Sequence, residues 1–156
     1  LADALLLLDP AEAAGIDAHA YGPAPFPAYR DDVQRRSAGR LVVAGPVPSS
    51  EVPGLIAAHD VVVVPSIWAE NAPLVALEAR AVGRPVLASD LGGLVEIVQE
   101  GIDGLRFPAG DAFALAGLLR RLLGEKGLLS RLSASVRPPS SEQAWASAIL
   151  RAWQGA

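Results

Sequence analysis

The run Val61-Val62-Val63-Val64-Pro65 limits the possible folds of this chain more than any other feature. A strand with one face in water alternates apolar and polar residues, whereas four successive valines read as a strand covered on both faces. Something must therefore lie above and below it. A second run of this kind, Arg84-Pro85-Val86-Leu87-Ala88-Ser89, follows after a helical segment. Shorter candidates are Asp17 to Gly22, Arg40 to Gly45 and Gly104 to Phe107. Strands alternating with helices in units of this size predict an α/β domain of three layers. Its central parallel sheet would be built from the runs near 17–21, 41–44, 61–64, 86–89 and 104–107. Ligands of such sheets bind at the carboxyl ends of strands, where strand order reverses. The loops after Ala44, Val64 and Ser89 all lie there.

The helices are bounded by their stop and start signals. Residues 2–14 read as one helix stopped by Gly15, with Ala4, Leu7, Leu8 and Ala11 marking a face. Further helices are expected over roughly Ala28 to Ser37, from Ser50 as N-cap to His59, and after Pro73, whose fixed φ suits a first turn. Gly92-Gly93 opens a helix containing Val95, Ile97 and Val98, and Asp111 caps one from Ala112 to Leu123. Another covers about Lys126 to Val136, Pro138-Pro139 breaks it, and Ser141 caps a last helix to about Trp153.

With 156 residues, 51% hydrophobic and 19% charged, the chain reads as a single ordinary domain over 1–156 that can bury a core. The net charge of -4 argues against nucleic acid, which needs clustered Lys and Arg, so any phosphate must be met mainly by backbone amides. There is no cysteine and only His19 and His59 as histidines, so no disulfide, thiolate site or histidine-rich metal site is expected. No apolar run reaches the roughly 20 residues of a spanning helix. Leu5 to Leu8 is bracketed by Asp3 and Asp9 and lacks a basic flank, which speaks against a signal peptide.

The candidate site lies between the two strongest strands. Glu70 ends the loop after the valine run, Asn71, Ala72 and Pro73 lead into a helix, and Glu78 follows Glu70 after seven intervening residues. A helix N-terminus offers unpaired N–H groups, here those of Leu74 and Val75, to an anion. Carboxylates accept hydrogen bonds from hydroxyls. A ligand with both a phosphate and neutral hydroxyls suits the pair, and a nucleotide sugar has both. Each residue also has a plainer reading. Glu70 could be a solvated loop acid or a cap, and Glu78 a helix-surface acid paired with Arg80 or Arg84. Gly92-Gly93 fits tight packing of a turn better than a second phosphate cradle, since no G-x-G-x-x-G occurs. Trp68 could line a sugar pocket or simply pack, and Trp145 and Trp153 could cover apolar surface on the last helix. Glu96, His19 and His59 read as structural, and Arg120 as a surface cation away from the site.

The order Pro65-Ser66, Glu70-x7-Glu78, PLVALEARAVGRPV (Pro73 to Val86), ASDLGG (Ala88 to Gly93) and GLRFPAGD (Gly104 to Asp111) resembles retaining glycosyltransferases of the GT-B fold, family 4. The match is to their C-terminal half, a Rossmann-like, nucleotide-sugar-binding domain. The resemblance implies that Glu70 contacts hydroxyls of the donor sugar near the reacting carbon and that Glu78 accepts bonds from the ribose. It places the diphosphate at the amides of Leu74 and Val75 and the base on the loop Gly45-Pro46-Val47, whose plainer reading is a strand-ending turn. Many relatives have glycine where this chain has Asn71, Ala72 and Pro73, and Pro73 lacks an N–H.

The implied activity is metal-independent transfer of a sugar from a nucleotide diphosphate to an acceptor hydroxyl with retention, without a cofactor. The family places an Arg/Lys pair just before the point matching Leu1; Arg30, Arg35, Arg36 and Arg40 lie in a different segment. Its N-terminal, acceptor-binding domain is the expected partner, and this chain alone would be inactive. A cytoplasmic location is expected, with peripheral contact at the inner face of a membrane left open to the other half. Alternatives are a nucleotide-sugar epimerase of the same two-domain fold and a non-catalytic sugar-nucleotide-binding module. A dinucleotide oxidoreductase half is disfavoured by the missing glycine fingerprint.

Overall fold

Five parallel strands run through the domain between two layers of helices, as the valine run requires. The structure is a computed structural model and describes residues 1–23 and 26–139. The elements are α1 (Ala2–Leu6), α2 (Pro10–Ala14), β1 (Ala18–Tyr21), α3 (Pro27–Arg36), β2 (Leu41–Gly45), α4 (Val52–Ala57), β3 (Val62–Val64), α5 (Leu74–Ala81), β4 (Val86–Ser89), α6 (Leu94–Ile97), β5 (Gly104–Phe107), α7 (Ala112–Gly124) and α8 (Leu128–Ser135).

The expected α/β domain with a parallel central layer is found, but that layer is not one continuous ladder. The strands form two parallel ladders, β1-β2 and β3-β4-β5, and β1 is not hydrogen-bonded to β3. Both ladders nevertheless belong to one layer. Ala18 and Ala20 of β1, Leu41 of β2, Val63, Leu87 and Leu105 all pack into one apolar cluster with α1, α7 and α8. The opposite face is covered by α4, α5 and α6, where Ile56, Ala76, Ala79, Leu94 and Ile97 meet Val64, Val86 and Ala88. β4 sits between β3 and β5, and its four residues are all buried, alternately feeding the two clusters.

Several boundaries differ from expectation for identifiable reasons. The helix over 2–14 is two helices, because Asp9 forms a capping box with Glu12 and Pro10 starts a new first turn. Leu5 is consequently buried in the core, while Ala11 is exposed. The carbonyls of Leu5 and Leu8 accept bonds from Nη1 of Arg40 at 2.7 and 2.8 Å, so a cation closes the end of α1. Ser50 does not cap α4; Glu51 stands at the N-cap without a side-chain bond. Pro73 stands at the N-cap of α5, one position before the first turn. The helix after Gly92-Gly93 has only four residues and leaves Val98 as its C-cap. Gly127, at φ 80°, delays α8 to Leu128. Asp111 caps α7 as expected, accepting from the amide of Ala114 at 2.9 Å. The expected last helix, with Trp145 and Trp153, lies outside the described residues.

Candidate functional site

The carboxyl ends of β2, β3 and β4 bring the loops after them together. β2 ends in Gly45 at φ +83°, a left-handed conformation that favours glycine, and its carbonyl accepts from the amide of Gly22 at 2.8 Å. The chain then passes Pro46 to Val47, whose side chain lines a cavity of about 850 Å³. From β3, the loop carries Ser66, buried, and Glu70, half-buried, into the same cavity. The Ser66 hydroxyl donates a hydrogen bond to Oε1 of Glu70. This bond ties the carboxylate to the end of the strand.

α5 begins beside Glu70. Its N-cap is a proline, which supplies no side-chain bond, and the first helical contact is Ala76 N–H to the Pro73 carbonyl at 3.1 Å. The N–H groups of Leu74 and Val75 therefore have no partner within the helix, the condition in which a helix end receives an anion. Ala76 and Ala79 turn one stripe of α5 into the core. Leu74 is 71% exposed and Val75 is 38% exposed. Glu78, four residues past Leu74 and three past Val75, shares their stripe, because such spacings stack on one side of a helix.

Arg80 donates to the carbonyl of Ile97 at 2.9 Å and lies 3.8 Å from Asp103, while Arg84 donates to the carbonyl of Ala57. Neither pairs with Glu78, so the plainer reading of that carboxylate as half of a helix-surface ion pair is not what the structure has. Among the described residues Glu78 has no hydrogen-bonded or ionic partner.

Gly92 and Gly93 pack against the Glu70 loop. The amide of Gly93 donates to the carbonyl of Glu70 at 2.6 Å. A Cβ at Gly93 would stand 1.9 Å from the Asn71 carbonyl oxygen, and one at Gly92 2.8 Å from the Glu70 oxygen. Tight packing was the expectation, but within their own turn. The contact with a loop some twenty residues earlier has no signal in the sequence beyond the paired glycines themselves.

The cavity brings together Val47, Glu70 and Val75 from the expected site residues. Asn71 and Ala72 are exposed on the loop, Pro73 is buried beneath it, and these three, with Leu74, Glu78, Gly45 and Pro46, lie outside the cavity lining. Trp68 is 64% exposed and neither packs in the core nor lines the cavity. Two residues that were given no role in the sequence are added: Ser66, which holds Glu70, and Pro65 beside it. His19 and His59 also line the cavity; His19 stacks on Tyr21 with ring centroids 5.8 Å apart, and His59 meets both rings edge-on at 5.7 and 5.8 Å.

The sequence pattern of the family described as "Glycosyl transferases group 1" matches residues 1–125. The D-inositol 3-phosphate glycosyltransferase of Salinispora arenicola is 38% identical over 100 residues, covering 64% of this chain and 22% of that protein. Among solved structures, the Anabaena Alr3699/HepE protein in complex with UDP-glucose superposes with a TM-score of 0.76 at 25% identity, over 88% of this chain and 38% of that one. The C-terminal domain of a glycosyl transferase group 1 family protein (LpcC) from Francisella tularensis shares the fold, with a TM-score of 0.61 at 23% identity over 70% of this chain and 58% of that one. The architecture is thus that of a GT-B glycosyltransferase domain, Rossmann-like with parallel strands.

The chain belongs to the group 1 glycosyltransferases. It spans about a fifth to a quarter of the length of the curated relatives it matches. Among the described residues no helix is long and apolar enough to cross a membrane.

Proposed function

We propose that this chain is the donor-binding, C-terminal domain of a glycosyltransferase that uses a nucleotide-diphosphate sugar, retains anomeric configuration and needs no metal. The observation that carries the reading is Glu70, held by Ser66 at the cavity edge beside the unpartnered first turn of α5. A structural neighbour that binds UDP-glucose supports a uridine nucleotide as the donor type to test first. The relatives named above are glycosyltransferases, which favours transfer over the epimerase and the non-catalytic module.

In this reading the bond between the sugar's anomeric carbon and the diphosphate oxygen breaks, and the nucleoside diphosphate leaves with the electron pair. The acceptor hydroxyl forms the new bond to that carbon, and its proton passes to an oxygen of the departing diphosphate. The amides of Leu74 and Val75 and the dipole of α5 stabilise charge on the departing diphosphate. Glu70 accepts hydrogen bonds from sugar hydroxyls near the reacting carbon. Glu78, on the exposed stripe of α5, does the same for the ribose, and the loop Gly45-Pro46-Val47 supports the base. Cations for the leaving group would come from the Arg/Lys pair that the family places just before the point matching Leu1, and the acceptor surface from the other half of the enzyme, so this chain alone would bind donor weakly and transfer nothing. The other half would also decide whether the enzyme, expected in the cytoplasm, touches a membrane.

Calorimetric titration of the full-length enzyme with UDP-sugars, alongside initial rates of transfer, tests the reading. Saturable donor binding that weakens in Glu78→Ala, with turnover depressed in Glu70→Ala, is the expected result. Unchanged binding and rates in both variants would overturn it.

A further inference from the structure

β5 gives a single side chain to the face covered by α4, α5 and α6. Strand residues alternate between faces, and Leu105 and Phe107 pack into the cluster on the side of α1 and α7. Gly104 has no side chain, so the other face receives only Arg106, in register with Ala88 of β4. A guanidinium is an unfavourable occupant of that place. Its Nε is buried and, among the described residues, has no hydrogen-bond partner, and the side chain as a whole is only 24% exposed. An apolar side chain of similar length would fill the same space without stranding a donor.

The guanidinium instead bridges a turn. Its Nη1 lies 3.3 Å from Oδ1 of Asp90, just past the end of β4, and donates to the Val95 carbonyl in α6 at 3.4 Å. Leu91, Gly92, Gly93 and Leu94 lie between these two anchors, and their glycines abut the Glu70 loop. The turn has weak polar support of its own. α6 has four residues, too few to stand alone as a helix, and its N-cap, Gly93, offers no side-chain bond. Leu94 is buried beneath the turn, but apolar packing is non-directional. The amide of Asp90 donates to the Phe107 carbonyl at 2.7 Å, which ties the near side of the turn to β5. Arg106 ties the far side to the same strand.

We propose that Arg106 is a positioning residue for Glu70, acting through the Gly92-Gly93 turn. The route is short. Arg106 holds Asp90 and Val95, the turn between them brings the Gly93 amide to the Glu70 carbonyl at 2.6 Å, and the Glu70 loop carries the site carboxylate. Turn and loop must be closely registered, since neither glycine has room for a Cβ against the loop backbone. A planar fork with fixed donors suits that task, whereas a lysine offers one point charge on a flexible stem. Arg106 matters to transfer only if Glu70 works at the reacting sugar, as proposed above.

Arg106→Met, Arg106→Lys and Glu70→Ala in the full-length enzyme, with Arg106→Met also in the Glu70→Ala background, test the assignment. Methionine keeps the apolar stem and removes the fork, so Tm should stay level or rise. A misplacement of about 1 Å costs up to about a hundred-fold in rate, and about a ten-fold loss of kcat is expected for Arg106→Met. Arg106→Lys should recover part of that loss at most. UDP lacks the sugar that Glu70 is proposed to contact, so its calorimetric Kd should stay within about two-fold of the parent. In the Glu70→Ala background, Arg106→Met should add no further loss. Asp90→Ala cuts the same bridge at its exposed end and should lower kcat in the same direction; parent activity in it overturns the proposal even where Arg106→Met does not fold. A kcat for folded Arg106→Met within about two-fold of the parent also overturns it, as does an equal loss in both backgrounds, or UDP binding that weakens in step with kcat. If Glu70→Ala itself transfers at the parent rate, the site reading falls and the role of Arg106 with it. A slow Glu70→Ala beside a normal Arg106→Met removes the role of Arg106 alone.

Discussion

The amide of Gly93 donates to the carbonyl of Glu70 at 2.6 Å, and the space for this contact exists only because residue 93 has no side chain. The loop that carries the site carboxylate is therefore held from two sides. Ser66 fixes its carboxylate to the end of β3, and the Gly92-Gly93 turn after β4 fixes its backbone.

Gly93→Ala should displace the loop rather than unfold the domain. Its Cβ would meet backbone, the carbonyl oxygen of Asn71 at 1.9 Å, which cannot rotate away as a side-chain tip can. Overpacking of this kind costs about 1–3 kcal/mol. We expect a lower Tm and at least a ten-fold loss in kcat/KM of the full-length enzyme. Gly117→Ala is the contrasting variant. Gly117 sits inside α7 with nothing near its missing Cβ, so the change should stabilise by about 0.5–1 kcal/mol and leave activity alone. A thermal melt and a rate for each variant check both statements.

Ser66→Ala should act through Glu70. A hydrogen bond to a charged group contributes roughly 1.5–3 kcal/mol when buried, and less at this half-buried site. About a ten-fold loss in kcat/KM is expected, and the loss should vanish in a Glu70→Ala background. Equal losses in both backgrounds would mean that Ser66 works independently of the carboxylate.

The core strands could be read from the sequence because the valine run and Val86 to Ser89 carry their burial in composition. The break between α1 and α2 is missed in the reading of 2–14 as one helix, although Asp9, Pro10 and Glu12 together are a helix start. What could not be read depends on distant contacts. Nothing local says that Gly93 meets Glu70, or that the strands form two ladders, since both are decided by contacts distant in sequence. Arg120 shows the same limit. It reads as an idle surface cation, yet it pairs with Glu12 at 2.9 Å and donates to the Leu7 carbonyl, joining α7 to the α1–α2 turn.

Glu125 links α7 to α8. Its carboxylate is held below its ordinary pKa by hydrogen bonds from Arg131, at 2.6 Å, and Arg121. A depressed folded pKa gives stability that is present above the unfolded value of 4.5 and is lost as pH falls through the folded value. The group is exposed, so the effect is small. Melts of Glu125→Gln and parent should differ slightly at pH 7 and converge under strongly acidic conditions. A gap that widens on acidification would contradict this assignment.

Charge on the leaving diphosphate is assigned to α5 and to the Arg/Lys pair expected just before Leu1, so chelation should not matter. Transfer by the full-length enzyme should be unchanged, within about two-fold, after treatment with EDTA and gel filtration. Activity that falls on chelation and returns with added magnesium or manganese would reject the metal-free reading.

The two carboxylates should separate kinetically. Glu70 lies at the cavity edge beside the start of α5, where the reacting sugar is proposed to sit, so Glu70→Ala should lower kcat and kcat/KM together. Loss of one hydrogen bond to a charged group, about 1.5–3 kcal/mol, corresponds to roughly ten- to a hundred-fold. Glu78 lies one turn into α5 without an ionic partner, so Glu78→Ala should cost little stability. It should raise the KM for donor, with a smaller change once donor saturates. Arg120 is unsuitable as a silent control because of its contact with Glu12; Arg35→Ala is preferable, its only ionic partner among the described residues being Asp32 on its own helix. If Glu70→Ala and Glu78→Ala show the same KM and kcat profile, the division of labour between sugar and ribose is wrong, even if both residues matter.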